Sequence, residues 1–225
     1  PLLMKGQVFM FKDATQIRFL NSGPRLTQAG AGPAIGASRW AGQANDLADC
    51  LRGLVATVNG DVPVDCDHAF DLWCDCTDDI RQADRVTYLI GNGASASMAS
   101  HFAADLAKNA DLHTQVFTDL SLLTAVANDM SYDMVFVVPL RRRLKPGDMV
   151  VAISSSGNSP NVVKAAEFAV SREATLVTLT AMQPTNALRQ LGTLNFWLPA
   201  ETYGLAETGH AAILHYWMDR VSLGQ

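Results

Sequence analysis

Asp148-Met-Val-Val-Ala-Ile-Ser-Ser-Ser-Gly-Asn-Ser159 is the stretch that decides the fold: an apolar, β-branched run ends in a turn of serine, glycine and asparagine. A helical pattern follows over residues 160–172, so the order is strand, loop, helix. The same order occurs upstream. Arg85-Val-Thr-Tyr-Leu-Ile-Gly-Asn-Gly-Ala-Ser95 is again an apolar run and a small polar turn, continuing into a helical pattern to Asn109.

The second loop has a specific chemistry. Ser154, Ser155, Ser156 and Ser159 place four hydroxyls within a short turn, and Gly157 lets the backbone approach a ligand. The helix behind it leaves its first N–H groups unpaired and carries partial positive charge at that end. A phosphate there is held by neutral donors, without Lys or Arg. Any one of these serines reads equally well as a helix cap. Four after a strand, with a second such loop also after a strand, point to a phosphate site.

Working outward, five short apolar runs read as strands: Val86–Ile90, Thr114–Phe117, Met149–Ser154, Thr175–Leu179 and Leu194–Leu198. Helical patterns separate or follow them at Ser97–Lys108, Leu120–Ala127, Tyr132–Leu144, Asn161–Arg172, Thr185–Leu191 and Leu205–Leu223, with Asp119 placed to cap the second. This alternation predicts an α/β fold, a three-layer sandwich around a five-stranded parallel sheet, with ligands bound at the carboxyl ends of the strands. Ahead of it, Ala41–Val58 and Asp65–Ala83 have the period of amphipathic helices, the first closed by Asn59-Gly60. Residues 1–40 carry no such pattern; residues 7–20 read as strand or helix and residues 21–36 as linker. The expected division is an N-terminal extension over 1–40 and one domain over 41–225 that includes its leading helices.

Composition narrows the function classes. Hydrophobic residues make up 48% and charged residues 17%, with a net charge of −5, which describes a soluble globule without an affinity for nucleic acid. The run Arg141-Arg-Arg143 reads as the end of a helix complementing its dipole. The apolar runs are too short to span a bilayer, and the start at Pro1 shows no secretion signal, so a cytoplasmic protein is expected. Four cysteines, all before residue 80 and without C-x-x-C spacing, read as reduced structural thiols. No nucleotide cofactor and no membrane or nucleic-acid partner is expected.

His101 and Asp105 stand four apart on a helical pattern and share a face; Glu207 and His215 stand eight apart on the last one. Brought together, these two His/carboxylate pairs suit a divalent ion, most naturally zinc with mixed N/O ligands, or acid–base work without metal. Taken singly, each His reads as a packed residue beside Phe102 or Trp217, and Asp105 as a solvated charge. His210 points about 140° away from His215 around the helix and reads as packing.

The motifs Ile90-Gly-Asn-Gly-Ala-Ser95, His101-Phe-Ala-Ala-Asp-Leu106, Ala127-Asn-Asp-Met-Ser-Tyr-Asp133, Ile153-Ser-Ser-Ser-Gly-Asn-Ser159 and Glu207-Thr-Gly-His-Ala-Ala-Ile-Leu-His215 follow in this order. With them, residues 45–223 resemble the sugar isomerase (SIS) domain family, closest to the phosphoheptose isomerases. The resemblance implies a flavodoxin/Rossmann-like sheet and a homotetramer packed through the leading helices. It implies isomerisation of sedoheptulose 7-phosphate to D-glycero-D-manno-heptose 7-phosphate through an enediol, as in lipopolysaccharide heptose biosynthesis. Ser154, Ser155, Ser156 and Ser159 would hold the phosphate; Asn92, Gly93, Ala94, Ser95, Asn128 and Asp129 would hold the rest of the sugar. His101, Asp105, Glu207 and His215 would ligate one Zn²⁺ per subunit.

Asp105, His215 and Glu207 are the catalytic candidates. Asp105 stands where the family carries a Glu base, His215 matches its opposing acid/base, and Glu207 replaces a Gln that touches substrate and metal. Ala94 stands where Gly is usual. The shorter Asp side chain is notable because a misplacement of about 1 Å costs up to a hundredfold in rate. The exchange leaves several readings: Glu207 takes over as base, the enzyme is weakened or acts on a different phosphosugar, or the domain is a non-catalytic phosphosugar-binding or regulatory module, such as a protein that associates with the replication initiator.

Overall fold

The structure, a computed structural model, describes Arg39 to Ser222. The expected extension over 1–40, with its strand-or-helix and linker readings, lies outside the described residues except for Arg39 and Trp40.

The first described element is helix α1 (Arg39–Arg52), most of which is exposed. The helical reading of residues 41–58 holds only for its first part. Gly53 ends the helix, and the β-branched Val55, Thr57 and Val58 extend into strand β1 (Val55–Val58), paired with β2 (Val62–Val64). Asn59-Gly60 is the turn of this hairpin, with φ of 49° and 89°. Both residues are left-handed, a conformation that suits the twist of flanking strands and that Asn-Gly adopts readily. Read as a helix stop, the same dipeptide conceals the hairpin.

Helix α2 (Cys66–Gln82) follows, capped by Asp65, whose carboxylate accepts the Asp67 amide at 2.9 Å. Then come β3 (Val86–Gly91), α3 (Ala94–Asn109), β4 (His113–Gln115), α4 (Leu120–Asp129), α5 (Val137–Arg143), β5 (Met149–Ser154), α6 (Pro160–Ser171), β6 (Thr175–Ala181), β7 (Leu194–Leu198) and α7 (Tyr203–Val221). Asp119 caps α4 as expected, accepting the Leu122 amide at 2.8 Å. The helix read over 132–144 is divided into a 3-10 turn at Tyr132–Met134 and the short α5. Pro139 is the reason: it fits a first turn but not the interior of one continuous helix. Arg141, Arg142 and Arg143 do form the last turn of α5.

Among the described residues the sheet has seven strands, in the order β2-β1-β7-β6-β5-β3-β4. β3 to β7 are the five expected parallel strands, and the hairpin adds two antiparallel strands through β1 against β7. Chain order reverses between β3 and β5, neighbours whose connections leave in opposite directions.

Side chains on β5 alternate between two cores. Met149, Val151 and Ile153 join Phe102, Leu106 and Trp217 under α2, α3 and α7. Val150 and Ala152 join Phe136, Leu140 and Ala166 under α5 and α6. This is the three-layer sandwich. Trp73 of α2 stacks on Trp217 of α7 at 4.1 Å between ring centroids, over Phe196 of β7. The Trp217 indole N–H donates to Thr77 Oγ1 at 3.0 Å, and neither residue reaches solvent.

Thr77→Val keeps the shape at that contact but orphans the buried indole N–H, and is expected to lower unfolding free energy by about 1–3 kcal/mol in urea denaturation.

Candidate functional site

The loops after β3 and β5 emerge at the carboxyl ends of neighbouring strands, and their helices part, α3 to one face of the sheet and α6 to the other. A crevice is built in where chain order reverses. A cavity of about 220 Å³ lies there, lined by Asn92 and Ser95 from the first loop, Ile153, Ser154, Ser155, Ser156 and Ser159 from the second, and Tyr203 and Glu207 from α7. Its lining contains no Lys or Arg. Ser95, Ser159 and Tyr203 stand at the start of α3, α6 and α7, so three helix N-termini contribute to one pocket.

The serine loop is braced from outside. The Gly157 amide donates to Ser154 O at 2.9 Å, the Ala181 amide to Ser155 O at 3.0 Å, and the Leu188 amide to Gly157 O at 2.9 Å. Asn158 accepts the Ala187 amide at 3.0 Å and donates to Ser156 O at 3.2 Å. Ser154 and Ser159 share one hydrogen bond at 3.2 Å, which consumes one of their two hydroxyl protons. Gly157 has φ of 63°, and a Cβ there would lie 1.9 Å from Asn186 Oδ1. Asn186 is itself held, donating to Gln183 O at 2.8 Å and accepting the Arg189 amide at 3.0 Å. The expected helix over 185–191 is reduced to a single 3-10 turn, Leu188–Gln190.

The other expected site residues divide into groups. His101 Nε2 lies 3.3 Å from Asp105 Oδ2 on α3, and the His101 and His215 rings are 5.9 Å apart, centroid to centroid. Phe102 packs on both imidazoles. Glu207 stands apart, two turns before His215 on α7, or about 12 Å of helix rise, and lines the serine pocket. Asn128 and Asp129 are exposed at the end of α4, bonded to each other at 2.9 Å, and line neither this pocket nor the adjoining one. Gly93 lines the adjoining pocket, and Ala94 is exposed at the start of α3.

Among the described residues no group of three or more His, Cys, Asp or Glu is gathered as a metal site. The four expected zinc ligands are therefore not gathered into one site in this chain: His101, Asp105 and His215 are neighbours, and Glu207 lies two helical turns away on α7. All four cysteines are free thiols, and burial pushes each of them up.

Sequence reasoning missed the braces. Asn158, Asn186 and Asn161 each carry structure in or around the serine loop. Only Asn158 falls within the serine motif itself, and none of the three has a local signal for its bracing role. His210 is packing, as its angular position on α7 implied. It is fully buried, its ring nitrogens make no well-aligned hydrogen bond among the described residues, and burial pushes its imidazole down to about 4, outweighing the backbone of Thr180 beside it, which acts the other way.

Comparison with known proteins bears on the family and the fold. The SIS domain family matches residues 67–181. A phosphoheptose isomerase of Shewanella sp. (strain ANA-3) is 36% identical over a 139-residue alignment covering 58% of this chain and 71% of the relative. One from Shewanella baltica (strain OS155) gives the same figures. The solved phosphoheptose isomerase of Neisseria gonorrhoeae superposes with a TM-score of 0.70 at 24% identity, covering 82% of this chain and 98% of that one, and so shares the fold.

Gly157→Ala forces a left-handed non-glycine residue onto Asn186, a strain of about 1–3 kcal/mol, and is expected to weaken inorganic phosphate binding at least about tenfold by calorimetry. Relief by an added Asn186→Gly would identify the clash as the cause. For His210, the unfolded imidazole takes up a proton below its ordinary value of 6.5, while the folded one stays neutral to about 4. Stability therefore falls as pH drops through that window, by about 3 kcal/mol in all. His210→Gln should remove most of this slope in denaturation measured at pH 7 and pH 4.5.

Proposed function

The chain belongs to the SIS domain family, among the phosphoheptose isomerases, and on that premise we propose that it interconverts sedoheptulose 7-phosphate and D-glycero-D-manno-heptose 7-phosphate. One observation carries this reading. A pocket of neutral hydroxyls at three helix N-termini shares two of its helices, α3 and α7, with a His/Asp/His cluster further along them.

The phosphate docks on Ser154, Ser155, Ser156 and Ser159, whose hydroxyls and backbone amides supply donors without a fixed cation. Asp105 lies ten residues beyond Ser95 along α3, roughly 15 Å of helix rise. An anchor so far from the proton-transfer groups suits a substrate whose reacting carbons are remote from its phosphate. C1 and C2 of a heptose 7-phosphate are. Asp105 removes the proton alpha to the carbonyl, and His215 moves a proton at the neighbouring oxygen, giving an enediol that collapses to the other isomer. His101, whose Nε2 lies 3.3 Å from Asp105 Oδ2, is placed to orient the carboxylate.

Glu207 sets this chain apart. Its carboxylate faces the serine pocket, where it opposes a bound phosphate. The non-catalytic reading gains nothing from the comparisons. Zinc held by His101, Asp105, Glu207 and His215 would need Glu207 to turn toward the other three, and metal analysis of purified protein tests this. We also propose a homo-oligomer, a tetramer, and a cytoplasmic location. The exposed face of α1, with Trp40 78% exposed, supports the first. For the second, no helix among the described residues is long and apolar enough to cross a membrane.

Turnover of sedoheptulose 7-phosphate by the wild-type chain is the direct test; none on any phosphosugar would refute the enzyme. Asp105→Asn should lower kcat about 10²–10⁴-fold, and wild-type kcat in this variant would reassign the base to Glu207. Glu207→Gln, by removing a like charge, should tighten inorganic phosphate binding.

A further inference from the structure

Asn92 is the residue common to two cavities. On one side lies the serine pocket; on the other lies a largely apolar cavity of about 160 Å³ under Phe117, Leu123, Tyr132 and Phe136. Its side-chain amide is nearly used up. Oδ1 accepts from Asn161 Nδ2 at 2.8 Å and from the Tyr132 hydroxyl at 3.1 Å, while Nδ2 donates to Asn161 Oδ1 at 2.9 Å. An amide oxygen has two lone pairs and an amide nitrogen two protons. Both acceptor positions and one proton are spent, so Asn92 has a single N–H left and no acceptor.

Asn161 is 1% exposed at the second position of α6, immediately behind the serine loop. Its reciprocal bonds run from the helix after β5 to the loop after β3, across the reversal of chain order. Tyr132 reaches the same oxygen from the 3-10 turn after α4, 40 residues away in sequence.

We infer that Asn161 and Tyr132 are positioning residues that lock the Asn92 amide with one N–H turned to the ligand, so that Asn92 reads an oxygen of the sugar as acceptor only. This rests on the phosphosugar reading above. The lock fixes two things at once: the direction of that N–H, and the spacing between the serine loop and the loop that carries Asn92. Asn161 does this from inside the core, and Tyr132, 56% exposed, from the rim.

The test is a cycle of Asn92→Ala, Asn161→Ala and the double variant, with Tyr132→Phe as a variant that removes only an exposed hydroxyl. Asn161→Ala should lower kcat on sedoheptulose 7-phosphate about 10–100-fold, and Tyr132→Phe less. The double variant should be no slower than Asn92→Ala alone, and the inhibition constant for inorganic phosphate should stay within about twofold in Asn161→Ala and Tyr132→Phe. Wild-type kcat in both Asn161→Ala and Tyr132→Phe, or effects of Asn92→Ala and Asn161→Ala that multiply, would overturn the inference. So would a parallel loss of inorganic phosphate binding.

A wild-type chain without turnover refutes the isomerase and not the lock. In that case the same cycle is read by calorimetry. Asn161→Ala should weaken sedoheptulose 7-phosphate while sparing inorganic phosphate; equal effects on both, or none, overturn the lock. A wild-type chain that binds sedoheptulose 7-phosphate no better than inorganic phosphate overturns both readings.

Discussion

The reversal of chain order between β3 and β5 is the constraint on which the rest of this molecule depends. Two parallel neighbours send their helices to opposite faces, so their loops must part and leave a crevice at the carboxyl ends. The N-termini of α3 and α6 are turned toward it by the same geometry, and α7 adds a third. Positive potential is supplied by peptide dipoles that cannot move away, and the pocket lining needs no basic side chain.

Neutral donors hold an anion well only if they are fixed, because each hydrogen bond contributes little net of what water would give. The serine loop meets this requirement through backbone bonds from Ala181 and Leu188 and through the contact of Gly157 with Asn186. The Asn92–Asn161 amide pair extends the same rigidity across the crevice. Glu207 lines the same pocket, so three helix ends and one carboxylate share it.

α3 and α7 serve as rulers. Each begins at the pocket and carries its imidazole further along, so the serine loop and the imidazole cluster are separated by helix rise. The two imidazoles meet over Phe102, a core residue that ties their separation to the packing beneath.

Strands β3 and β5 to β7, the polar turns after β3 and β5 and the cap at Asp119 were legible in the sequence, because each depends on residues within a turn or two of one another. The hairpin was not. Val55–Val58 has both helical and strand periods over so short a span, and only pairing with β7, some 140 residues on, selects the strand. The division of His101, Asp105 and His215 from Glu207 was likewise decided by tertiary structure. Spacing along α7 showed that Glu207 and His215 share a face but not that the pocket reaches only the first of them. Asn161 gave no local signal at all: its role exists because β3 and β5 are neighbours, and that adjacency is a property of the folded sheet.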